Sequence, residues 1–392
     1  KEKKMENFEF YNPTKLFFGR GQETRIGSLL VEKVGTDSQV LVVYGGQSAK
    51  KSGLLDKVTS SLKASGINFV ELGDVRPNPT YEKVKEGVVL AREKNIQAIV
   101  AVGGGSVIDT AKAIAICVPY EGEGWDFFEK GVVPKKALPV ACVLTLPAAG
   151  SEQSKRIVIS HQGRKLGTGS DIVRPFASII NPEFFFTLPP KQVRAGVIDM
   201  MSHIMERYFT QTPNTDFISG QAEAALRSIM KNGLIVRKDS QNYEAWSQIG
   251  LAGSFAHNGF YGLGQKEDWA CHGIEHEISA WDETITHGEG LAVVTPAWMT
   301  YVWKENPSRF VQFAQNVMGV KEDTEEKTVL AGIAALKNFF KEMGAPVTLA
   351  ELHAEKLDPQ ELAEKAVKIP GTLGNFKKLH SEDILKIFEL MR

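Results

Sequence analysis

Five side chains of the metal-binding type lie in two short stretches in the second half of the 392-residue chain. Asp199 and His203 are four positions apart, and so are His272 and His276. On a helix this spacing places both side chains of a pair on one face. His287 follows in a glycine-bounded turn. Three imidazoles and one carboxylate can hold a divalent metal and leave one position open for substrate.

A glycine-rich turn follows a buried apolar run in the first half of the chain. Gly103, Gly104 and Gly105 come after the strand-like segment 98–102 and precede a helical pattern that begins at Ser106. Residues without Cβ let the backbone approach a pyrophosphate, and a helix N-terminus adds unpaired N–H groups and a positive partial charge. The turn matches neither the G-x-G-x-x-G fingerprint nor the P-loop. Its strand–turn–helix order still predicts phosphate binding; the alternative is a glycine turn without a ligand.

A second glycine pair, Gly45 and Gly46, ends the first buried strand. Sites that prefer NAD(H) often place an acid near this position to bind the ribose 2′-hydroxyl. Here Ser48, Lys50 and Lys51 follow instead, and these residues could hold a 2′-phosphate. The segment therefore predicts a preference for NADP(H) over NAD(H), unless the lysines are ordinary surface charges.

Hydrophobic periodicity divides the chain at about residue 189. Before that point, helical segments alternate with short apolar runs at 40–44, 67–72, 98–102 and 140–144. This rhythm predicts a parallel sheet covered on both faces. Beyond it, almost every segment has helical periodicity. We expect an α/β dinucleotide-binding domain at 5–189, an all-helical metal-binding domain at 190–392, and a catalytic site in the cleft between them.

Composition narrows the class of protein. The chain has 46 basic and 47 acidic residues, so no positive excess favours nucleic acid. No apolar run reaches the roughly 18 residues of a spanning helix, so a membrane is not an expected partner. The three cysteines are scattered and odd in number, which indicates no disulfide framework and favours a reducing cytoplasm.

Together the motifs resemble the iron-dependent alcohol dehydrogenase family. The matching segments are 102–112, Asp199-x-x-x-His203, His272-x-x-x-His276 and His287-Gly288. Segments 10–15 and 371–376 are similar to its NADPH-dependent butanol dehydrogenase branch. The resemblance implies a Rossmann-like N-terminal domain and an all-α C-terminal domain, as in dehydroquinate synthase. It also implies a homodimer joined near residues 8–18.

The resemblance implies a role for each candidate residue. Asp199, His203, His272 and His287 would hold one divalent metal, iron or zinc, and His276 would stand near the substrate without binding the metal. The residues expected to contact NADP(H) are Gly45, Gly46, Ser48, Gly103, Gly104, Gly105, Ser106, Asp109, Thr145 and Lys165. The implied reaction is metal-dependent, NAD(P)H-linked interconversion of short- to medium-chain aldehydes and primary alcohols. A titratable imidazole suits proton transfer near neutral pH, so His276 is the candidate for the proton path.

One departure and three alternatives remain. Arg156 and Ile157 stand where relatives commonly have an amide and a small residue. We hypothesise that Arg156 favours an acidic aldehyde or a phosphate-bearing substrate; the alternative is that it contacts cofactor phosphate or turns to solvent. The run from His272 to His276 also matches the H-x-x-E-H pattern of zinc peptidases, with Glu275 as general base. That activity would leave the glycine turns without a purpose. A sugar-phosphate lyase of the dehydroquinate synthase type would need more basic residues than segment 260–290 offers. The third alternative is a non-catalytic dinucleotide-binding protein.

Overall fold

The chain divides into a unit built on a sheet and a unit built of helices. The computed structural model describes residues 4–46 and 48–392, and for Ser48 the backbone alone. Tyr11–Thr187 forms the first unit, here called the sheet unit. Leu188–Arg392 and the N-terminal segment that ends at Phe10 form the second, the helical unit. The start of the expected domain at 5–189 therefore groups with the helical unit and not with the sheet unit. There the Glu6 N–H donates to the Gly264 carbonyl at 2.8 Å.

A parallel sheet is the centre of the sheet unit. Its six described strands are β1 (Lys15–Phe18), β2 (Gln39–Tyr44), β3 (Asn68–Leu72), β4 (Ala98–Gly103), β5 (Val140–Leu144) and β8 (Ala177–Ile180). Their order is β1-β8-β5-β4-β2-β3. A separate antiparallel hairpin consists of β6 (Arg156–His161) and β7 (Arg164–Gly169). The central strands are buried along their length, as expected for a parallel sheet with both faces covered.

Helices accompany the strands of this unit. They are α1 (Ile26–Val34), α2 (Ser48–Lys51), α3 (Leu54–Ala64), α4 (Tyr81–Glu93), α5 (Gly105–Cys117) and α6 (Asp126–Glu129). The chain leaves β2 for β3 on one side and later returns to β4 on the other side of β2. This reversal of strand order creates a crevice at the carboxyl ends of β2 and β4, where ligands bind in open α/β sheets.

The helical unit is built around two buried helices. Its described helices are α7 (Pro190–Tyr208), α8 (Asp216–Lys238), α9 (Tyr243–Ala256), α10 (Ala270–Trp281), α11 (His287–Val302), α12 (Pro307–Asn316), α13 (Glu325–Glu342), α14 (Pro359–Lys368) and α15 (Ser381–Leu390). Helices α7 and α11 are buried on almost every face and pack against each other. No described helix is both long and apolar enough to cross a bilayer. The α/β and all-helical fold classes predicted from the sequence are confirmed.

Candidate metal and cofactor sites

Helix α7 presents the first pair of predicted ligands. Asp199 and His203 are both 5% exposed and lie one turn apart, as the spacing predicts. The Nδ1 atom of His203 lies 3.0 Å from the Asp199 carbonyl oxygen and 3.2 Å from Asp199 Oδ1. One turn further along, Glu206 is also buried. Sequence reasoning did not identify Glu206, although it follows Asp199 by seven residues and so shares its face.

Helices α10 and α11 supply the other candidates. His272 is the third residue of α10, and His276 follows one turn later. His287 opens α11 as its first residue, whereas the sequence predicts a turn there. Helix α11 can approach α7 only because Gly288 lacks a side chain; a Cβ atom would lie 2.0 Å from the Ala195 carbonyl oxygen. This contact fixes where His287 stands.

Three of the predicted ligands converge. Asp199 Oδ1 lies 3.8 Å from His272 Nε2 and 3.8 Å from His287 Nε2. Asp199 Oδ1 and His272 Nε2 are buried and make no hydrogen bond of regular geometry among the described residues, although His203 Nδ1 lies 3.2 Å from Asp199 Oδ1. Unpaired buried polar atoms are costly, and two ligands of a tetrahedral ion bound at about 2.1 Å stand about 3.4 Å apart. The three residues therefore fit one divalent ion.

Two buried glutamates orient the histidine rings of this group. Glu206 Oε2 accepts a hydrogen bond from His272 Nδ1, and Glu275 Oε2 accepts one from His287 Nδ1. An ionised carboxylate only accepts, so each ring directs an N–H at Nδ1 to its glutamate and turns Nε2 toward Asp199, where a bound metal would take the place of any proton on Nε2. Because Glu275 is engaged in this way, it is not placed as the general base that a zinc peptidase would require.

The charges of the group favour a cation. Burial raises the pKa of Asp199, but the imidazoles of His203, His272 and His287 outweigh it and bring the pKa below its usual range. Burial lowers the pKa of His272, but the carboxylates of Glu206 and Asp199 outweigh it and raise the pKa to about 9. Burial holds the pKa of His203 well below its ordinary value. The pocket thus keeps its acid ionised and attracts positive charge.

The other two histidines lie at the edge of this group. The ring centroid of His203 is 4.5 Å from that of His272, but no ligand atom of His203 joins the close set formed by Asp199, His272 and His287. His276 is half-buried, with its ring centroid 5.4 Å from that of His287. The role of His203 as a fourth ligand and that of His276 beside the substrate stay predictions.

The glycine turns lie at one edge of the sheet. Gly45 and Gly46 follow β2, Gly103 ends β4, and Thr145 follows β5, where its N–H donates to the Gly103 carbonyl at 3.1 Å. They therefore lie at the carboxyl edge of the sheet, and the turns after β2 and β4 flank the crevice between those two strands. Gly103 also permits a tight turn, since a Cβ atom would lie 2.4 Å from Val107 Cγ2.

Helix α5 begins directly at this edge. Gly105 is its first residue and Ser106 its second, and no described side chain caps it. Its first amides are therefore available to an anion. The side chain of Ser48, which the sequence predicts to contact the cofactor, lies outside what the structure describes.

Asp109 and Lys165 have partners within the sheet unit. Asp109 accepts hydrogen bonds from the Ser151 hydroxyl at 2.5 Å and from the Val158 N–H at 2.8 Å. Buried Lys112 donates to Ser151 and to the carbonyl of residue 154, so segment 151–158 is anchored to α5. Lys165 donates to an oxygen of the Asn78 amide at 3.1 Å. Contacts of Asp109, Thr145 and Lys165 with nicotinamide, and of the exposed Arg156 with substrate, stay predictions.

Known proteins match both units. The family model for iron-containing alcohol dehydrogenase matches residues 13–182, and that for the C-terminal part of the Fe-containing alcohol dehydrogenase family matches 193–391. The probable NADH-dependent butanol dehydrogenase 1 of Bacillus subtilis is 42% identical over 98% of this chain and 99% of its own length. The NADPH-dependent aldehyde reductase YqhD of Escherichia coli is 36% identical over 88% of this chain and 89% of its own.

A solved structure also matches over the full length. The crystal structure of NADH-dependent butanol dehydrogenase A from Thermotoga maritima has a TM-score of 0.95 and 39% identity, and the match covers 100% of both chains. The family models, the relatives and this fold all agree over both units. The chain therefore belongs to the iron-containing alcohol dehydrogenase family.

Proposed function

We propose that this protein is a metal-dependent, NAD(P)H-linked alcohol dehydrogenase and aldehyde reductase for short- to medium-chain substrates. One observation carries the proposal. Asp199 Oδ1 and the Nε2 atoms of His272 and His287 converge, and two of these three atoms are buried without a regular hydrogen bond among the described residues. Family membership supplies the reaction class. The named relatives are butanol dehydrogenases and an aldehyde reductase.

Asp199, His272 and His287 would hold one divalent ion, with His203 as a fourth ligand. When bound, iron or zinc acts as a Lewis acid toward the substrate oxygen. Imidazole and carboxylate ligands suit both metals, so metal analysis of protein purified without chelator decides between them. The protein supplies the fixed ring orientations through Glu206 and Glu275.

His276 would carry a proton to or from the substrate oxygen. It lies on α10 one turn after His272 and is half-buried, beside His287. Its side chain is not in the group of Asp199, His272 and His287, although it forms a second close group with Glu275 and His287. Imidazole is the side chain whose ordinary pKa best suits proton transfer near neutral pH.

The sheet unit would hold the dinucleotide. Gly103, Gly104, Gly105 and Ser106 would contact the pyrophosphate at the N-terminus of α5, where backbone amides favour an anion. Asp109, Thr145 and Lys165 would stand toward the nicotinamide half. Gly45, Gly46 and Ser48 would line the adenosine end.

We propose that the cofactor is NADP(H) in preference to NAD(H). Lys50 is exposed beside this edge, with its Nζ atom 5.0 Å from the centre of the Tyr44 ring, and no acid occurs in the described residues between β2 and Lys50. The names of the relatives include both cofactors. The ratio of kcat/KM for NADPH to that for NADH tests the preference, and a tenfold preference for NADH would contradict it.

The decisive experiment follows absorbance at 340 nm with NADPH and butanal. We expect cofactor oxidation that stops when the metal is removed by chelation and returns when iron or zinc is added. His272→Ala protein is the control, because it should fold but not recover activity with added metal. The proposal is wrong if metal-loaded wild-type protein oxidises neither NADPH nor NADH with any short- or medium-chain aldehyde.

We further propose a cytoplasmic homodimer. Strand β1 is at the edge of the sheet and pairs only with β8 among the described strands. Such an edge presents unpaired backbone groups that a second chain can use. The described cysteines are all free and buried, which fits a reducing compartment. Light scattering on the purified protein measures the number of chains directly.

A further inference from the structure

Segment 371–376 has no role in the function proposed above. It is nevertheless one of the two segments that resemble the butanol dehydrogenase branch. We propose that this segment, acting through Asp268, positions the N-terminus of α10 and thereby the metal-binding ring of His272. The inference rests on the metal site proposed above, and Asp268 and the segment are positioning elements that do not touch the ion.

One buried carboxylate joins the segment to the helix. Asp268 is 3% exposed. Its Oδ2 atom accepts hydrogen bonds from the N–H groups of Asn375 at 2.7 Å and Phe376 at 2.6 Å. Its Oδ1 atom accepts from the N–H of Ala270, the first residue of α10, at 2.9 Å. Movement of the segment is therefore transmitted to the start of the helix.

The next two amides of α10 lead to His272 itself. Glu206 Oε1 accepts from the N–H groups of Cys271 at 2.6 Å and His272 at 3.2 Å, and Oε2 of the same side chain holds His272 Nδ1. The Asp268 N–H in turn donates to the Glu206 carbonyl at 2.8 Å. Asp268 and Glu206 thus share the first turn of α10, so a displaced Asp268 changes the geometry at His272.

The residue between Asp268 and the helix is held in an uncommon conformation. Trp269 has a φ of 71°, in the left-handed region that residues other than glycine seldom adopt. Its indole Nε1 donates to Glu267 Oε2 at 2.7 Å, and the Arg207 guanidinium lies 4.5 Å from its ring. Such conformations persist where the surroundings enforce them, often at functional sites.

The segment is itself anchored to the helical unit. Leu373 and Leu379 exchange both backbone hydrogen bonds, at 2.9 and 2.8 Å. Leu373 also packs on α10 at Gly273, where a Cβ atom would lie 2.6 Å from Leu373 Cδ1. Phe376 is buried against Trp298. The segment is therefore held in place and can hold Asp268 in place in turn.

Two glycines of the segment offer a matched pair of variants. Gly371 and Gly374 both have left-handed backbones, with φ of 77° and 82°. A Cβ atom on Gly374 would lie 2.9 Å from Asp268 Oδ2, 2.9 Å from the Lys377 carbonyl oxygen and 3.2 Å from Cβ of Ala270, the first residue of α10, whereas one on Gly371 would meet nothing within 4 Å. Gly374→Ala and Gly371→Ala thus share the backbone strain, and only the first pushes on Asp268.

The readout is the zinc dissociation constant of metal-stripped, full-length protein, measured by competition with a chromophoric chelator. Loss of groups that orient metal ligands weakens affinity roughly 10- to 100-fold, so we expect Gly374→Ala and Asp268→Ala to weaken zinc binding about tenfold and Gly371→Ala to stay within about twofold of wild type. Equal constants for the two glycine variants would overturn the inference. If Asp268→Ala fails to fold, the glycine pair still decides.

Wild-type and His272→Ala protein distinguish failure of the proposed metal site from failure of the proposed positioning role. Zinc binding by wild type but not by His272→Ala, with unaltered binding in the Gly374→Ala variant, removes the positioning role and leaves the metal site standing. Wild-type protein that takes up no zinc overturns the metal site and the inference with it.

Discussion

At the scale of single residues, Glu206 decides which nitrogen of His272 carries the hydrogen. In Glu206→Gln the amide oxygen can still accept from the N–H groups of Cys271 and His272, but the amide NH₂ then faces His272 Nδ1. That nitrogen becomes an acceptor, and the hydrogen moves to Nε2, the atom that faces Asp199. We expect metal affinity to fall about 10- to 100-fold with little change in thermal midpoint. Zinc competition and thermal unfolding measure both.

Glu223 provides the control for this prediction. It is another buried glutamate, on α8, and accepts hydrogen bonds from Tyr208, Gln312 and Asn316. Glu223→Gln perturbs a buried hydrogen-bond network without touching the histidines. Similar losses of zinc affinity in the two variants would show that Glu206 acts only through general stability.

The histidines themselves should separate into two classes. Truncating His272 or His287 to alanine removes an atom of the convergent group, so we expect both variants to lose the metal and turnover. His276→Ala should retain the metal and lower kcat, because no ligand atom of His276 belongs to the group of Asp199, His272 and His287. Metal content by mass spectrometry and initial rates test this. Equal loss of metal in all three variants contradicts the role given to His276.

Residue spacing reveals part of this site and conceals part. Asp199 and His203 can be read as one face of a helix, and Glu206 lies on the same face two turns from Asp199. Nothing in the sequence says that this face meets α10, so the pairing of Glu206 with His272 required the fold. Glu275 is visible between two histidines, but its partner is His287 on the next helix. The local spacing therefore suggested Glu275 as a general base, whereas in the structure Glu275 orients the ring of His287.

At the scale of elements, the contact between α7 and α11 depends on one missing side chain. In Gly288→Ala the new Cβ would lie 2.0 Å from a backbone oxygen of α7, so the start of α11 must shift and carry His287 with it. We expect a loss of about 1–3 kcal/mol in the free energy of unfolding and a loss of bound metal. Chemical denaturation and metal analysis measure the two effects.

Gly220 is a matched control at an exposed position of a helix. It lies in α8, where an added Cβ would meet nothing within 4 Å. Gly220→Ala should stabilise the protein by up to about 1 kcal/mol, because alanine favours helix. Destabilisation of similar size in both variants would show that helix crowding at Ala195 is not the cause.

Elements that are apolar and long were predictable, and short or irregular ones were not. Strands β2, β4 and β5 follow the apolar runs closely, because a strand buried on both faces must be apolar throughout. Strand β8 has only four residues, too few for a distinct pattern, yet it lies between β1 and β5. Its position depends on non-local pairing, which no local signal encodes. The turn expected at His287 is the start of a helix. Glycine at position 288 suggested a turn, but it is needed there for the close contact with Ala195 of α7, which no local pattern reveals.

At the scale of the whole molecule, the two units have separate cores and separate candidate ligands. The metal-type residues are all in the helical unit, and the glycine turns are all in the sheet unit. A ligand stabilises the regions whose opening it opposes, by about 2.7 kcal/mol at one hundred times its Kd. We expect zinc to slow hydrogen exchange most in α7, α10 and α11. NADPH should slow it most at the start of α5 and the ends of β2 and β4.

Hydrogen exchange of His287→Ala protein makes this division testable without any turnover. The variant lacks one atom of the convergent metal group but retains every residue of the glycine turns. Zinc should therefore no longer protect α7 and α10, whereas protection of α5 by NADPH should stay as in wild type. If zinc still protected the variant, the ion would have to bind elsewhere. If NADPH protected the helical unit most, the dinucleotide would not be held at the carboxyl edge of the sheet.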